Sequence, residues 1–388
     1  MQEIAAQRLC QLPPYLFVEI DRRKQLARAA GKDVIDFGIG DPDTPTPDFI
    51  VDRLIAAVRE PANHRYPPGI GKPNFRRACA AFFKRRFQFA LDPDRHVLAL
   101  VGSKEGIGHL PLAVVNPGDV VLVPDPGYPV YTSSTLFAGG RPHVMPLRPD
   151  AGWLPDLDAI PAAVANRTRL IYLNYPNNPT GAVTDRCFLE KALRFADKHD
   201  ILLAHDAAYC EVSFGEPPPS IFEIDGAMER AVEFHSLSKT FNMTGWRVGF
   251  AVGHPEVITA LAKVKNNVDS GVFGAVQDAA AEALDHYDHA SVRAMIDLYR
   301  ERRDIVVDGL NSIGFGLQAP QATFYIWAKC PNGYTSMECA TKALDDAAVV
   351  LVPGVGFGQH GEGYVRIALT VDADRTREAM DRLRGVTW

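Results

Sequence analysis

The chain has 388 residues, of which 47% are hydrophobic and 23% charged, and its formal net charge is −6. This length permits a large core in two domains, and the small acidic excess argues against a nucleic-acid partner. No apolar run reaches the roughly 18 residues of a membrane span, and the N-terminus lacks the basic and apolar regions of a signal peptide.

Cysteines and histidines give no sign of a disulfide framework or a metal site. The six cysteines, at positions 10, 79, 187, 210, 330 and 339, form no Cys-x-x-Cys pair, and a chain of this size needs no disulfides. The eleven histidines show no paired spacing with cysteines or carboxylates, so no metal is predicted. We therefore expect reduced thiols and a cytoplasmic location.

Short β-rich runs alternate with helical stretches through the middle of the chain. Predicted helices cover residues 48–59, 72–86, 104–115 and 185–198. Predicted strands cover residues 97–101, 120–123, 170–174, 201–205, 232–235 and 247–252. Because these strands lack alternation, they are expected to be buried on both faces. This pattern predicts an α/β fold with a mostly parallel central sheet covered by helices.

The C-terminal part of the chain has a different order of elements. Predicted elements are a helix over 290–314, a strand over 323–328, a helix over 336–347, strands over 349–352 and 364–368, and a helix over 373–384. This α+β set predicts a smaller domain, which the N-terminal segment and its helix over 21–30 are expected to join. The predicted division is 46–285 for the large domain, and 1–45 with 286–388 for the small one.

Lys239 lies in the segment Ser236-Leu237-Ser238-Lys239-Thr240, with Arg247 eight residues further on. An imine needs an amine held at one position, and a phosphate needs hydroxyl donors and a permanent positive charge. The segment therefore favours an aldehyde carried on a phosphate. The alternative is an acylated serine, as in the Ser-x-x-Lys of penicillin-binding proteins, but that site needs a downstream Lys-Thr-Gly, which this chain lacks.

Other segments place polar residues where predicted strands end. Asp206 lies at the end of a strand, and ligands of open α/β sheets bind at the carboxyl ends of strands. Taken alone, such an Asp is as often a helix cap or an ion-pair partner as it is a functional residue. Asn178 lies in a loop fixed by Pro and Gly. Gly102-Ser103-Lys104 precedes a helix and predicts an anion site. Tyr128 is expected either to stack on an aromatic ring or to pack its loop.

Two further features lie in the C-terminal part. Arg366 is in an otherwise apolar strand, where a buried guanidinium needs a partner, either a substrate carboxylate or an internal salt bridge. The segment from Gly356 to Gly361 matches Gly-x-Gly-x-x-Gly. A dinucleotide site needs a helix to follow that motif, but a predicted strand follows here, so a tight turn is expected.

Together these segments resemble the class I and II pyridoxal-phosphate aminotransferases. The resemblance extends from the segment Gly38–Asp43 to Arg366, and its motifs are Ser236-x-Ser238-Lys239, Arg247, Asp206-x-x-Tyr209 and Asn178-Pro179-Thr180-Gly181. It implies an aspartate aminotransferase-like fold, pyridoxal 5'-phosphate as cofactor, amino acid and 2-oxo acid substrates, and a homodimer with shared active sites. Pyridoxal-dependent lyases share the fold and the cofactor residues and remain an alternative.

The resemblance also implies roles for single residues. Lys239 forms the imine with the cofactor and carries the proton, while Asp206 pairs with the pyridine nitrogen. Tyr209 and Asn178 bond the 3-oxygen of the ring, and Arg366 binds the substrate carboxylate near Gly40. The remaining cofactor contacts are Tyr128 on the ring, Ser103, Lys104 (through its backbone), Ser236, Ser238 and Arg247 on the phosphate, and Tyr66 on the phosphate of the neighbouring subunit.

Within this family, the chain is most similar to the bacterial branch of the LL-diaminopimelate aminotransferases. The similarity rests on Tyr15, Ser103-Lys104, the segment 205–209 and the segment 269–274. It implies 2-oxoglutarate as acceptor and a substrate pocket that includes Tyr15, Lys104, Tyr325 and the Ser270 region. The better-known branch has Glu at the position of Gly69 and Asn at that of Ser270, so alanine, aspartate, glutamate and methionine remain alternative donors.

Overall fold

The structure, a computed structural model, describes residues 4–12 and 17–388 and, for residues 17–19, the backbone only. Its strands are β1 (Ile35–Asp36), β2 (Val97–Leu100), β3 (Val120–Asp125), β4 (Arg141–Pro146), β5 (Thr168–Asn174), β6 (Leu202–Asp206), β7 (Ala231–Ser236), β8 (Gly249–Gly253), β9 (Tyr325–Lys329), β10 (Val349–Val350), β11 (Val352–Pro353) and β12 (Tyr364–Ala368). Its helices are α1 (Gln7–Cys10), α2 (Phe17–Ala29), α3 (Asp48–Val58), α4 (Pro73–Phe87), α5 (Ser103–Val114), α6 (Val130–Phe137), α7 (Ala162–Ala165), α8 (Arg186–Lys198), α9 (Leu237–Thr240), α10 (Pro255–Val268), α11 (Gly274–Asp285), α12 (Ala290–Asn311), α13 (Ser336–Ala347) and α14 (Ala373–Arg384).

A seven-stranded sheet in the order β2-β8-β7-β6-β5-β3-β4 forms the larger part of the molecule. Every pair from β7 to β4 is parallel, whereas β8 runs antiparallel to both β7 and β2. The predicted mostly parallel sheet is therefore confirmed. The edge strand β4 was not predicted. Its β pattern is hidden by Pro142 and Pro146 and by positions that are mostly exposed or half-buried.

Helices cover both faces of this sheet, as a buried parallel sheet requires. On one face, α4, α8 and α11 contribute buried side chains such as Phe83 and Leu189 to a core cluster. On the other face, α5, α6 and α10 contribute Ile107, Tyr131 and Leu261 to a second cluster. The loops at the carboxyl ends of the strands are thereby held between two packed layers.

A third core cluster surrounds a small antiparallel sheet in the order β11-β12-β9 and the parallel pair β1-β10. It is built mainly from α12, α13, α14 and these strands, with Ile35 and Phe37 from the N-terminal segment. One prediction here was wrong in detail: the strand expected over 349–352 divides at Leu351, so that Val349–Val350 pairs with β1 and Val352–Pro353 with β12. The predicted domain division at 46 and 285 stays a prediction.

The glycine motif between Gly356 and Gly361 forms two short 3-10 turns that lead directly into β12. Gly358 has φ of 130°, and a Cβ there would overlap the Asp125 carboxylate, which accepts hydrogen bonds from the backbone N–H groups of Gln359 and His360. The expected tight turn is therefore confirmed. Among the described residues, no helix is long and apolar enough to cross a membrane.

Candidate active site

The central cavity has a volume of about 810 Å³ and lies where the parallel strands end. Asn174, Asp206 and Ser236 are the last residues of β5, β6 and β7, and all three line it. Parallel strands present their carboxyl ends at one edge of a sheet, so polar side chains at these positions converge. Residues of helix α2 and of the segment from Asp36 to Asp41 also line the cavity.

Lys239 lies in the single-turn helix α9, immediately after β7. Its Nζ donates a hydrogen bond of 3.0 Å to the carbonyl oxygen of Gly40. The ammonium also lies 5.4 Å from the centre of the Phe324 ring, within cation–π range. The amine is therefore held at one position inside the cavity by the Gly40 carbonyl and the Phe324 ring.

Asp206 is buried, and its carboxylate accepts two hydrogen bonds. The Tyr131 hydroxyl donates to Oδ2 at 2.7 Å, and the Ala208 N–H donates to Oδ1 at 3.2 Å. Burial raises the pKa of Asp206 above its ordinary value, while these two hydrogen bonds lower it and partly offset the burial. The carboxylate is thus pre-oriented by donors and suited to pair with a cationic group.

Donors for an anion gather at another side of the cavity. The N-terminus of α5 begins at Ser103, which is buried, and the Arg247 guanidinium lies next to it: a Cβ on Gly102 would be 2.5 Å from Arg247 Nη2. Ser236 and Ser238, both buried, line the same cavity. A helix N-terminus, a guanidinium and hydroxyls together form a site for a phosphate group.

Arg366, on β12, is buried at 5% exposure and forms a second cationic site. Its Nη1 donates to Asn178 Oδ1 and its Nη2 to the Gly38 carbonyl, both at 3.1 Å. Its Nε is buried and has no hydrogen-bond partner among the described residues. No carboxylate pairs with Arg366 in the described part of the chain, so the alternative of an internal salt bridge has no support there. An orphaned donor on a buried guanidinium fits a ligand carboxylate.

Tyr209 also lines the cavity, and its ring packs against that of Tyr325 in a T-shaped arrangement. The two hydroxyl oxygens are 3.2 Å apart and hydrogen-bonded. Burial raises the pKa of Tyr209 well above its ordinary value, and the neighbouring Tyr325 raises it further. Tyr209 therefore stays a neutral hydroxyl donor at physiological pH.

The structure brings almost all the residues predicted from sequence to this one cavity. Those that line it are Gly40, Ser103, Lys104, Tyr128, Asn178, Asp206, Tyr209, Ser236, Ser238, Lys239, Arg247, Arg366 and Tyr325. Tyr66 does not: its side chain is 87% exposed and lies outside the cavity of its own chain. Ser270 is likewise exposed and outside it. The predicted substrate residue Tyr15 lies outside the described residues.

Sequence reasoning missed several residues that shape the cavity. Tyr131, one helical turn after Tyr128, was not predicted to contact Asp206, although a buried tyrosine hydroxyl needs a partner. Lys24 and Asp36, paired at 3.0 Å, come to the cavity from the N-terminal segment. No local motif marks that pair, because its two members are 12 residues apart and meet only through the tertiary fold.

These groups fit a phosphorylated pyridine aldehyde. The anion site suits its phosphate, the Asp206 carboxylate suits a protonated ring nitrogen, and Lys239 supplies the amine for its aldehyde. The ring of Tyr128 lines the space between them, with Lys104 Nζ 5.6 Å from its centre. The second cationic site, at Arg366, is left for the carboxylate of an amino acid.

Comparison with known proteins agrees with this geometry. The family model described as aminotransferase class I and II matches residues 32–383. The LL-diaminopimelate aminotransferase of Syntrophobacter fumaroxidans is 52% identical over 389 residues, covering 100% of both chains. Substrate-bound BacF from Bacillus subtilis has a TM-score of 0.95 at 38% identity, covering 99% of this chain and 98% of that one. A double mutant of Thermus thermophilus aspartate aminotransferase has a TM-score of 0.93 at 30% identity, covering 100% of both.

Proposed function

Because this chain belongs to the class I and II aminotransferases, and therefore takes pyridoxal 5'-phosphate as its cofactor, we propose that it transfers the amino group of LL-diaminopimelate to 2-oxoglutarate. The observation that supports this most strongly is the placement of Lys239, Asp206, Arg247 and Arg366 around one cavity. The choice of donor is supported by relatives of that name at 51–52% identity over nearly the full length. The family assignment also rejects the acylated-serine alternative for Ser236.

We assign the cofactor contacts to the following residues. The α5 N-terminus at Ser103 and Lys104, together with Ser236, Ser238 and Arg247, binds the phosphate. Asp206 holds a positive charge at the pyridine nitrogen, Tyr128 stacks on the ring, and Tyr209 with Asn178 donates to the 3-oxygen. Pyridoxal phosphate, when bound, supplies the electron sink for breaking the Cα–H bond of the amino acid.

The remaining steps belong to this chain's own side chains. Arg366 binds the α-carboxylate through the Nε and Nη groups and so fixes the direction of the Cα–H bond. Lys239, whose Nζ hydrogen-bonds to the Gly40 carbonyl, accepts the α-proton as a general base and would deliver it to the carbon that carries the cofactor's aldehyde. Glycine is required at position 40, since a Cβ there would overlap the Tyr325 hydroxyl. The chain then follows ping-pong kinetics, in which the 2-oxo acid formed from the donor leaves before the acceptor, 2-oxoglutarate, enters.

The distal ammonium of diaminopimelate needs a partner that Gly69 cannot supply. A Cβ on Gly69 would overlap Oδ1 of Asn266, so the side-chain amide of Asn266 fills the space that a larger residue at position 69 needs. This departure keeps open the alternative donors alanine, aspartate, glutamate and methionine. A pyridoxal-dependent lyase activity is the second alternative.

We further propose that the chain forms a homodimer with shared active sites, and that it is located in the cytoplasm. Tyr66 is 87% exposed and carries no role in its own cavity, which supports its contact with the phosphate bound by the neighbouring subunit. Val268 and Phe273 lie close to Ser270 in the sequence, and their apolar side chains are 60% and 45% exposed. Exposed apolar side chains of this kind are typical of a surface that a partner subunit covers. All six cysteines are free thiols, which fits a reducing compartment.

The proposal is tested by half-reactions of the purified chain loaded with pyridoxal phosphate. Each amino acid is mixed with the protein in the absence of acceptor, and the visible absorbance of the bound cofactor is followed. LL-diaminopimelate is expected to convert the cofactor fastest, and 2-oxoglutarate to restore the absorbance. Conversion by aspartate or alanine but not by LL-diaminopimelate would reject the donor and keep the reaction class. Release of ammonia without conversion of the cofactor would favour a lyase.

A further inference from the structure

We propose that Tyr325 is a positioning residue that couples the cofactor side of the cavity to the substrate side. Its hydroxyl contacts Tyr209, and its ring contacts the Arg366 guanidinium. The inference rests on the proposed function, since it assumes that Tyr209 donates to the cofactor's 3-oxygen and that Arg366 binds the substrate carboxylate. The Tyr325 hydroxyl then serves the cofactor, through Tyr209, and the Tyr325 ring serves the substrate, through Arg366.

The hydroxyl end of Tyr325 is fixed from two directions. It lies 3.2 Å from the Tyr209 hydroxyl and packs against the Gly40 backbone, where even a Cβ would overlap it. Tyr325 is 3% exposed, so little water competes for this contact. In this structure the Tyr209 hydroxyl donates its hydrogen bond to Tyr325. When Tyr209 donates its hydrogen bond to a ligand instead, its oxygen is free to accept one, and Tyr325 is the hydroxyl placed to donate it. A hydroxyl that accepts a hydrogen bond becomes a stronger donor.

The ring end of Tyr325 supports Arg366. The guanidinium carbon lies 4.2 Å from the centre of the Tyr325 ring and 4.7 Å from that of Phe357. These distances are within cation–π range, and the contact is strongest where both partners are shielded from water. Arg366 is therefore held by two rings and two hydrogen bonds, while its buried Nε has no hydrogen-bond partner among the described residues.

The backbone of Tyr325 is anchored independently of both contacts. Its N–H donates to Thr323 Oγ1 at 3.1 Å, and it opens β9, where it pairs with Ala368 in register. The guanidinium of Arg366 extends from the same sheet, two residues before Ala368. One rigid strand pair therefore sets the distance between the Tyr209 contact and the substrate carboxylate site.

The charged and titratable groups around the Tyr209 hydroxyl are Tyr325 from β9, Arg366 from β12 and Asp206 from β6, with Lys239 from α9 lining the same cavity. Removing only the Tyr325 hydroxyl leaves all the others in place. Tyr209 then becomes a weaker donor, and the negative charge on the cofactor's 3-oxygen is less stabilised. The midpoint of the pH titration of the bound cofactor's visible absorbance must then rise.

The test compares Tyr325→Phe and Tyr325→Leu by titrating the visible absorbance of the bound cofactor against pH. Both variants lose the hydroxyl, so both are expected to raise the midpoint of this titration by roughly half a unit to one unit. Only Leu also loses the ring. The KM for LL-diaminopimelate should therefore stay near the wild-type value in Phe and rise roughly tenfold in Leu.

Tyr175→Phe is the matched control, because it removes a buried tyrosine hydroxyl that donates to the Trp153 carbonyl at 2.7 Å outside the cavity. Its titration midpoint should equal that of the wild type. An unchanged midpoint in Tyr325→Phe, or an equal rise of KM in Phe and Leu, would overturn the inference while leaving the proposed function intact. A wild-type chain that gives no visible absorbance with pyridoxal phosphate would overturn the proposed function itself.

Discussion

At the scale of single residues, Asp206 has to remain ionised in a buried position. Burial raises its pKa, and the donors that oppose this are the Tyr131 hydroxyl and the Ala208 N–H. Tyr131 is itself buried and stacks on Tyr172, with ring centres 4.8 Å apart. The hydroxyl is thus held against the carboxylate by the packing of its ring, and it favours the charged form of Asp206.

Tyr131→Phe should therefore raise the pKa of Asp206 further and move the acidic limb of kcat/KM to higher pH. A hydrogen bond to a charged group contributes about 1.5–3 kcal/mol, which corresponds to a shift of roughly one to two pH units. The measurement is kcat/KM across pH 5 to 9, with Tyr172→Phe as control, since that hydroxyl donates to the Ile107 carbonyl instead. An acidic limb that does not move in Tyr131→Phe would show that Tyr131 does not support the ionised carboxylate.

At the scale of elements, an ion-pair cluster joins α5 to the C-terminus of α10. Lys265 is fully buried, and its Nζ lies 3.3 Å from Glu105 and 2.9 Å from Asp269. Glu105 also accepts from the Val101 N–H and contacts His109, so its carboxylate fixes the loop that enters the phosphate site. The ligand atoms of Glu105, His109 and Asp269 lie within 4.8 Å of one another, but the Lys265 ammonium already pairs with both carboxylates.

Lys265→Met should loosen this cluster and with it the α5 N-terminus. Breaking a buried ion pair costs about 3 kcal/mol, so the thermal midpoint of the loaded protein is expected to fall by about 5 °C. The dissociation constant for pyridoxal phosphate should rise several-fold, because Ser103 and its neighbours are no longer held. Lys263→Met, an exposed lysine on the same helix, is the control. Equal behaviour of the two variants would argue that the cluster is dispensable.

At the scale of the whole molecule, the sequence was sufficient to predict the mostly parallel sheet and most of the cavity. Strand ends carry the information: Asp206 and Ser236 are each the last residue of a largely buried strand, and parallel strands bring such ends together. The prediction was weaker where contacts depend on tertiary packing. The approach of Tyr325 to Tyr209 joins residues 116 positions apart, and no spacing rule connects them.

Local sequence patterns also failed to predict the structure where a segment forms the edge of a sheet or a proposed subunit interface. Strand β4 carries two prolines and exposed positions, so its β pattern is weak. Tyr66 is exposed and does not line its own cavity, and its role in a neighbouring subunit stays a prediction because a single chain does not contain that contact.

Among the described residues, three lysines line the central cavity, Lys24, Lys104 and Lys239, and the proposed function requires that Lys239 is the one that reacts. The most direct measurement is reduction of the loaded protein with borohydride, which makes an imine to the cofactor permanent, followed by mass spectrometry of its peptides. We expect a pyridoxyl-phosphate mass on Lys239 alone, and none on any peptide of Lys239→Ala. A label on Lys24 or Lys104 in the wild-type protein would contradict it.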